Sequence, residues 1–138
     1  QNAYSTMKLD MLMTHPHRFV AMDGEAFVGC VSAVPRKDCN IFDAYCPGCY
    51  TDPECLVLFN LCVSHEYRGQ GVGPMLVNEI VKISQSVRLL VSKLDVNETD
   101  VRRRQIYDDR VSGLMKFYGK LGFEVQQEFP KCFLLGQR

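Results

Sequence analysis

The sequence has no excess of either charge. Its 138 residues carry 16 Lys and Arg against 16 Asp and Glu, so the formal net charge at pH 7 is zero. A chain without net positive charge has no global field that would hold a polyanion. We therefore predict no nucleic-acid partner.

Long apolar runs are absent as well. No segment approaches the roughly 18 apolar residues of a membrane span, and the first residues lack the charged-then-apolar pattern of a signal peptide. These absences predict an intracellular protein, in the cytoplasm, without a membrane partner. The chain opens at Gln1 rather than at Met, from which we expect processing or a start inside a longer reading frame. Its length and 46% hydrophobic content predict one domain spanning residues 1–138.

Cysteine is abundant but does not form the pattern of a secreted disulfide framework. The count of seven is odd, and several cysteines lie in apolar segments. Four others, Cys39, Cys46, Cys49 and Cys55, lie in or beside a polar segment at residues 35–53. That segment is long for a compact domain, which indicates a functional or crosslinked loop. Reduced thiols, a zinc site and a regulatory disulfide all fit this spacing, and we assign no metal ligand.

The hydrophobic periodicity predicts alternating strands and helices. A short helix is predicted at residues 2–13. A hairpin follows at residues 18–34, with Asp23 and Gly24 in a type I′ turn. A strand is predicted at 56–64, and a helix at 72–86 would bury one face made of Val72, Leu76, Ile80 and Ile83.

The C-terminal half continues this alternation. A strand is predicted at 89–96, then a solvated loop or exposed helix at 97–110. Ser112 would cap a helix at 114–121 that Gly122 ends. Two short strands, at 123–127 and 132–135, close the chain.

The most informative segment is the junction between the strand at 56–64 and the helix after it. Three glycines within five residues, Gly69, Gly71 and Gly73, would let successive backbone N–H groups converge on an anion. The positive end of the following helix dipole would point at the same place. The spacing does not fit G-x-G-x-x-G, and Pro74 replaces the Lys-Ser/Thr of a P-loop. The junction therefore predicts a phosphate cradle of another kind.

Two motifs indicate which kind of phosphate cradle this is. Val63-x-x-x-x-Arg68-x-x-Gly71-x-Gly73 and the later run at 117–123, Phe-Tyr-Gly-Lys-Leu-Gly-Phe, resemble landmarks of the GNAT superfamily of acyl-CoA-dependent N-acetyltransferases. The resemblance covers residue 18 to the C-terminus. It implies an α/β (α+β) fold, with a mixed, mostly antiparallel central sheet flanked by helices. The N-terminal region is shorter than in the family, which puts the wall that binds the acceptor in doubt.

The resemblance also implies a cosubstrate, acetyl-CoA, and the residues that would hold it. Backbone groups of one strand segment would pair with the pantetheine, and the turn would hold the pyrophosphate. The residues implied are Leu61, Cys62, Val63, Arg68, Gly69, Gln70, Gly71, Val72, Gly73 and Pro74.

Catalysis requires a proton donor for the departing thiolate and a route for the proton of the attacking amine. Tyr118 stands at the family's general-acid position, and a tyrosine is protonated at neutral pH. For the base, the nearest acid before the motif strand is Glu54, and a water relay is the alternative.

These inferences predict an N-acetyltransferase that acts on a primary amine by direct attack in a ternary complex. A protein lysine or N-terminus is slightly favoured over a small amine, which the acids Asp38, Asp43, Asp52 and Glu54 would attract. The alternative is a non-catalytic acyl-CoA-binding or zinc-stabilised interaction module. The sequence does not predict the oligomeric state.

Overall fold

The structure, a computed structural model, describes residues 4–9, 17–49, 52–93 and 99–137. These residues form the following strands and helices, in chain order: β1 (Ser5–Lys8), β2 (His17–Asp23), β3 (Ala26–Pro35), α1 (Asn40–Tyr45), β4 (Leu56–Val63), α2 (Val72–Val81), β5 (Val87–Ser92), α3 (Val101–Lys120), β6 (Phe123–Glu128) and β7 (Cys132–Gln137). The described strand pairs are antiparallel. The predicted fold class, a mixed α/β fold with a mostly antiparallel sheet, is confirmed.

The chain divides into two compact units, and the first comprises the described parts of residues 1–39 and 51–87. Its strands follow the order β1-β2-β3-β4. Helix α2 packs on β2, β3 and β4, with Val72, Leu76 and Ile80 buried at helical spacing. The second unit comprises the described parts of residues 40–50 and 88–138. Its strands follow the order β5-β7-β6, and α3 packs on β6. The single domain over residues 1–138 stays a prediction.

Helix α3 is mostly exposed, and its one buried residue is Tyr118. The helix begins where the Asp100 side chain accepts hydrogen bonds from the backbone N–H groups of Arg102 and Arg103, at 2.9 and 3.3 Å. It ends before Gly122, whose φ of +92° is a conformation that glycine adopts without strain. Of the solvated loop and the exposed helix predicted over 97–110, the helix is present from Val101 onward as the first half of α3. Residues 97 and 98 of this prediction, and 94–96 of the strand predicted at 89–96, lie outside the described part. The predicted cap at Ser112 is wrong, because Asp100 has already started the helix.

Three further predictions need correction. Residues 5–8 form a strand rather than a helix, because pairing with β2 overrides local periodicity. Residues 2, 3 and 10–13 of that predicted helix lie outside the described part. The hairpin turn is Gly24-Glu25, since Asp23 pairs with Ala26. Gly24 has a φ of +61° and Glu25 has no positive φ, the pattern of a type II′ turn.

The end of α2 also differs from the prediction. Ile83 is 42% exposed rather than part of the buried face, because the helix ends at Val81 and a turn around Ser84 and Ser86 follows. The segment 35–53 is also more ordered than a loop. It contains a 3₁₀ turn at Arg36–Asp38 and helix α1, whose Phe42 is fully buried.

Close packing of α2 on the sheet depends on Gly29 in β3. A Cβ atom at this position would lie 2.9 Å from the backbone oxygen of Cys62, 3.1 Å from Leu76 Cδ1 and 3.3 Å from Val72 Cγ1. Gly29→Ala is therefore expected to push α2 and β4 apart from β3, at a cost of about 1–3 kcal/mol. The matched control is Gly113→Ala, where an added Cβ meets nothing within 4 Å.

We expect Gly29→Ala to lower the Tm by about 5 °C or more in thermal unfolding. Gly113→Ala is expected to leave the Tm unchanged or raise it, because alanine favours a helix interior over glycine. An unchanged Tm for Gly29→Ala would contradict the packing described for α2.

Candidate active site

The glycine-rich turn between β4 and α2 is built around two left-handed residues. Gly69 and Gly71 have φ values of +76° and +87°, which L side chains adopt only with strain. Gly71 is the N-cap of α2, and no side chain caps this helix. The N-terminal N–H groups of α2 are thus left to backbone, solvent or a ligand, beside the positive end of the helix dipole. This arrangement is suited to binding an anion.

Three other residues of the turn, Gly73, Pro74 and Arg68, have different roles. Gly73 is buried in the first turn of α2 and has helical conformation, so it serves packing. Pro74 is also in the first turn, where its missing N–H costs little. The Nε of Arg68 donates to the backbone oxygen of Val63 at 3.1 Å, which ties the turn to the end of β4. No other hydrogen bond of the Arg68 side chain is found in the described part of the chain, so its terminal nitrogens are available to an anion. The backbone N–H of Arg68 donates to His65 O at 3.3 Å.

Strand β4 contains a β-bulge at Asn60 and Leu61, where the predicted pantetheine segment begins. Ser32 pairs with Phe59 and Cys30 pairs with Cys62, so two residues of β4 face one of β3. Asn60, one of these two, has a φ of +56°. A bulge bends its strand and redirects the groups that follow it. The bulge was not predicted from the sequence. Its signal was an asparagine within an apolar run, because asparagine tolerates the left-handed region.

The backbone beyond the bulge is oriented for strand addition. Ser64 N donates to Val28 O at 2.9 Å, and Val63 is the Cα partner of Gly29. Because backbone groups alternate in direction along an antiparallel strand, the N–H and C=O of Val63 point away from β3 and those of Cys62 point toward it. Val63 can thus pair with an extended amide-containing ligand, whereas the backbone of Cys62, also predicted to pair, faces β3. Leu61 lies in the bulge, and its pairing stays a prediction.

Tyr118 lies in the last turns of α3 and is 6% exposed. Its ring meets Phe117 and Phe123 edge-on, with centroids 5.0 and 5.8 Å apart. No hydrogen bond of its hydroxyl is found within the described residues. Desolvation raises the pKa of Tyr118 to about 12. The hydroxyl therefore carries its proton at every physiological pH, as a proton donor must.

The raised pKa of Tyr118 gives a prediction for stability at high pH. Above pH 10 the unfolded chain loses this proton while the folded chain keeps it. The stabilising effect of burial is thus complete below pH 10 and is lost as the pH rises through about 12. In urea unfolding, the free energy of unfolding of the wild type is expected to fall by about 2 kcal/mol more than that of Tyr118→Phe between pH 9 and 11.5. Equal losses in both proteins would show that Tyr118 has an ordinary pKa.

Glu54 lies in the turn just before β4. Its carboxylate forms an ion pair with Lys37 at 2.9 Å, and 68% of its side chain is exposed. The same ion pair raises the pKa of Lys37, chiefly through the hydrogen bond. Its role as the base stays a prediction, and this exposed, paired position favours the water relay that the sequence left open.

The cysteines of the 39–55 segment are distributed over both units. Cys46 lies 3.7 Å, Sγ to Sγ, from Cys132, and both are buried in the second unit. Burial raises the pKa of Cys132, although the bond from Cys46 opposes this shift. Cys55 is buried in the first unit. Across the described residues, no group of three or more His, Cys, Asp or Glu side chains has the arrangement of a metal site.

The sequence matches the acetyltransferase (GNAT) family over residues 2–123. The chain belongs to the GNAT acetyltransferase family. The resemblance drawn from the two motifs is confirmed, and the match begins sixteen residues before Arg18. It includes β1, so part of the N-terminal region expected to be shortened does match the family. Among curated proteins, no sequence matches at a significant level.

Solved structures of low identity show the same GNAT fold. A GNAT family acetyltransferase from Elizabethkingia anophelis, with acetyl-CoA bound, has a TM-score of 0.61 and 12% identity; the match covers 98% of this chain and 97% of that one. Naa50 from Arabidopsis thaliana, in complex with the bisubstrate analogue CoA-Ac-MVNAL, has a TM-score of 0.53 and 18% identity, covering 88% and 72%. PH1933 from Pyrococcus horikoshii has a TM-score of 0.57 and 19% identity, covering 88% of this chain but only 64% of its own length.

The residues predicted to bind the cofactor lie in one unit of this GNAT chain, whereas the two predicted catalytic residues belong to different units. The implied set from Leu61 to Pro74 follows continuously along β4, the turn and α2 of the first unit. Glu54 belongs to the first unit and Tyr118 to the second. No helix in the described ranges is both long and apolar enough to cross a membrane.

Proposed function

We propose that this chain is an N-acetyltransferase that moves the acetyl group of acetyl-CoA to a primary amine by direct attack in a ternary complex. The observation that carries the proposal is the uncapped start of α2 behind two left-handed glycines, directly after a bulged strand. Membership in the GNAT acetyltransferase family supports the same reaction class.

In this proposal, the first unit holds the cosubstrate. The backbone of Leu61 and Val63 pairs with the pantetheine amides, and the polar groups of Val63 point away from β3 as this pairing requires. The N–H groups from Gly69 to Gly73 hold the pyrophosphate, aided by the Arg68 guanidinium and the dipole of α2. The backbone N–H of Arg68 is bonded to His65 O and does not take part. Acetyl-CoA bound to a structural neighbour, the Elizabethkingia protein, supports this choice of cosubstrate.

The attacking amine must first lose a proton. An amine of pKa about 10.4 is neutral in about one molecule per thousand at pH 7.4, a handicap of roughly 4 kcal/mol. We propose that a water relay removes this proton, since Glu54 is exposed and paired with Lys37. The amine then attacks the thioester carbon, the C–S bond breaks, and the CoA thiolate leaves. Tyr118 supplies the proton that the thiolate takes up, and the second proton of the amine nitrogen passes through water to the Tyr118 oxygen, which restores the hydroxyl.

The proposed water relay predicts a small effect for Glu54→Gln. We expect its kcat to stay within about threefold of the wild type, because no direct proton transfer to a carboxylate is lost. Lys37→Gln breaks the same ion pair from the other side and is the matched control. A loss of about 100-fold or more in Glu54→Gln, with Lys37→Gln near wild type, would instead assign the base to Glu54.

For the acceptor, we propose a protein lysine or N-terminus rather than a small polyamine. The acids that would attract a polyamine are partly engaged: Glu54 pairs with Lys37, and Asp52 Oδ1 accepts a bond from Glu54 N at 2.9 Å. The peptide-bearing bisubstrate analogue bound to Naa50 supports a peptide acceptor in a similar fold. We also propose an intracellular, cytoplasmic location, where acetyl-CoA is supplied.

The test follows labelled acetyl groups. The protein is incubated with acetyl-labelled acetyl-CoA and a total cell extract, and label is measured in the macromolecular and small-molecule fractions. Label in the macromolecular fraction supports the proposal in full, and label only in the small-molecule fraction replaces the protein acceptor by a small amine. Binding of acetyl-CoA without transfer to either fraction would identify a non-catalytic acyl-CoA-binding module instead.

A further inference from the structure

The turn that forms the phosphate cradle is held by side chains from distant parts of the chain. Tyr67, in the 3₁₀ turn His65–Tyr67, donates its hydroxyl hydrogen to Asp23 Oδ2 at 3.0 Å. Asp23 ends β2 at the tip of the hairpin. This bond raises the pKa of Tyr67, so the hydroxyl keeps its proton and remains a donor. Through Tyr67, the residue immediately before Arg68, the cradle is therefore bonded to the tip of the hairpin.

A second tie reaches the cradle from the N-terminal strand. The hydroxyl of Tyr4 donates to Gln70 Oε1, and the ring of Tyr4 packs edge-on against Tyr67 with centroids 5.9 Å apart. The other end of the Gln70 amide, Nε2, donates to the backbone oxygen of Glu66 at 3.1 Å. The Gln70 side chain is thus fixed at both ends. Gln70 stands between the two left-handed glycines, so these contacts restrain the middle of the cradle.

We infer that Tyr67, acting through its bond to Asp23, is a positioning residue that presets the cradle for the pyrophosphate of acetyl-CoA. The inference rests on the proposed function, since it assigns a role within the same cosubstrate site. Tyr4 acts in the same way on Gln70. None of these side chains needs to touch the ligand.

The location of the network argues for positioning rather than for general stability. Asp23 and Tyr67 are only half-buried, and Gln70 is exposed. Hydrogen bonds in such places contribute little to the free energy of folding, because water satisfies the same groups in the unfolded chain. A flexible glycine turn, in contrast, loses conformational freedom when it binds an anion. Side chains that hold it in advance reduce that loss and raise affinity.

The experiment measures Kd values of two probes for the wild type and for variants of the full chain. Acetyl-CoA carries the pyrophosphate and is titrated by calorimetry. S-acetylpantetheine lacks the pyrophosphate and the nucleotide, and its weak binding is followed by NMR at millimolar concentration. The variants are Tyr67→Phe, Asp23→Ala and their double mutant, with Asp23→Asn as the conservative replacement that keeps a hydrogen-bond acceptor. Tyr107→Phe, a tyrosine of α3, is the control.

We expect Tyr67→Phe and Asp23→Ala each to raise the Kd of acetyl-CoA about fivefold. The double mutant is expected to show no larger effect than either single one, since both remove the same bond. Asp23→Asn and Tyr107→Phe should bind like the wild type, and S-acetylpantetheine should bind all proteins within about twofold.

Two results would overturn the inference. One is an unchanged Kd of acetyl-CoA in Tyr67→Phe and Asp23→Ala while the wild type binds it. The other is an equal loss for both probes, which shows a general structural effect. If the wild type itself does not bind acetyl-CoA, the proposed function fails first, and the inference fails with it.

Discussion

Tyr118→Phe is expected to lower the rate of acetyl transfer by about 100-fold or more, the range that a general acid contributes. The change removes only the hydroxyl, and the aromatic ring keeps its contacts with Phe117 and Phe123. Since no hydrogen bond of that hydroxyl is found in the described part of the chain, the free energy of unfolding at neutral pH should change little. The Kd of acetyl-CoA should stay within about twofold, because the loss concerns the leaving thiolate.

The control for this variant is Tyr107→Phe on the same helix. Tyr107 donates its hydroxyl hydrogen to the backbone oxygen of Lys93 at 3.4 Å, a long bond at the surface. Initial rates with the labelled acceptor fraction are compared at saturating acetyl-CoA. Full activity in Tyr118→Phe would show that another group or water protonates the thiolate. An equal loss in both variants would indicate a defect of α3 rather than of catalysis.

Gly71→Asp is expected to abolish tight binding of acetyl-CoA. The residue is the N-cap of α2 with a φ of +87°, and a Cβ atom added there would meet nothing within 4 Å. We expect the new carboxylate to lie beside the start of α2, where the pyrophosphate is proposed to bind, and to repel it. Two unit charges about 4 Å apart repel each other by about 4 kcal/mol at an effective dielectric constant of 20. Half of that energy weakens binding about 30-fold.

Gly48→Asp is the matched control for backbone strain. Gly48 also has a positive φ, +76°, and a Cβ atom added there would likewise meet nothing within 4 Å. Aspartate tolerates this conformation better than most residues, so both variants should fold. Calorimetric titration should give a wild-type Kd for Gly48→Asp and a Kd at least about 30-fold higher for Gly71→Asp. Similar Kd values for both variants would place the anion site elsewhere.

The cradle could be predicted from the sequence because its determinants are local. Gly69 and Gly71 supply the left-handed residues, and an apolar strand and an amphipathic helix flank them within a few positions. The buried face of α2 was predicted for the same reason, and only Ile83, beyond its end, was wrong. The family motif around Tyr118 was equally local.

Features that depend on distant partners could not be predicted in this way. The strand at Ser5–Lys8 owes its conformation to pairing with β2. The bulge at Asn60 depends on the register between β3 and β4, which hydrophobic patterning does not fix to a single residue. The bond from Tyr67 to Asp23 spans 44 positions, and nothing near either residue in the sequence indicates it. The start of α3 was missed because Asp100 and Ser112 are both good caps, and the earlier one acts.

The most direct test of the account is the melting temperature of the purified protein measured against acetyl-CoA concentration. A ligand that binds only the folded state stabilises it by about 2.7 kcal/mol at 100 times its Kd. We predict a Tm that rises steadily with the logarithm of acetyl-CoA concentration in the wild type and that begins to rise in Gly71→Asp only at concentrations at least about 30-fold higher. A wild-type Tm that does not change up to millimolar acetyl-CoA would contradict the account.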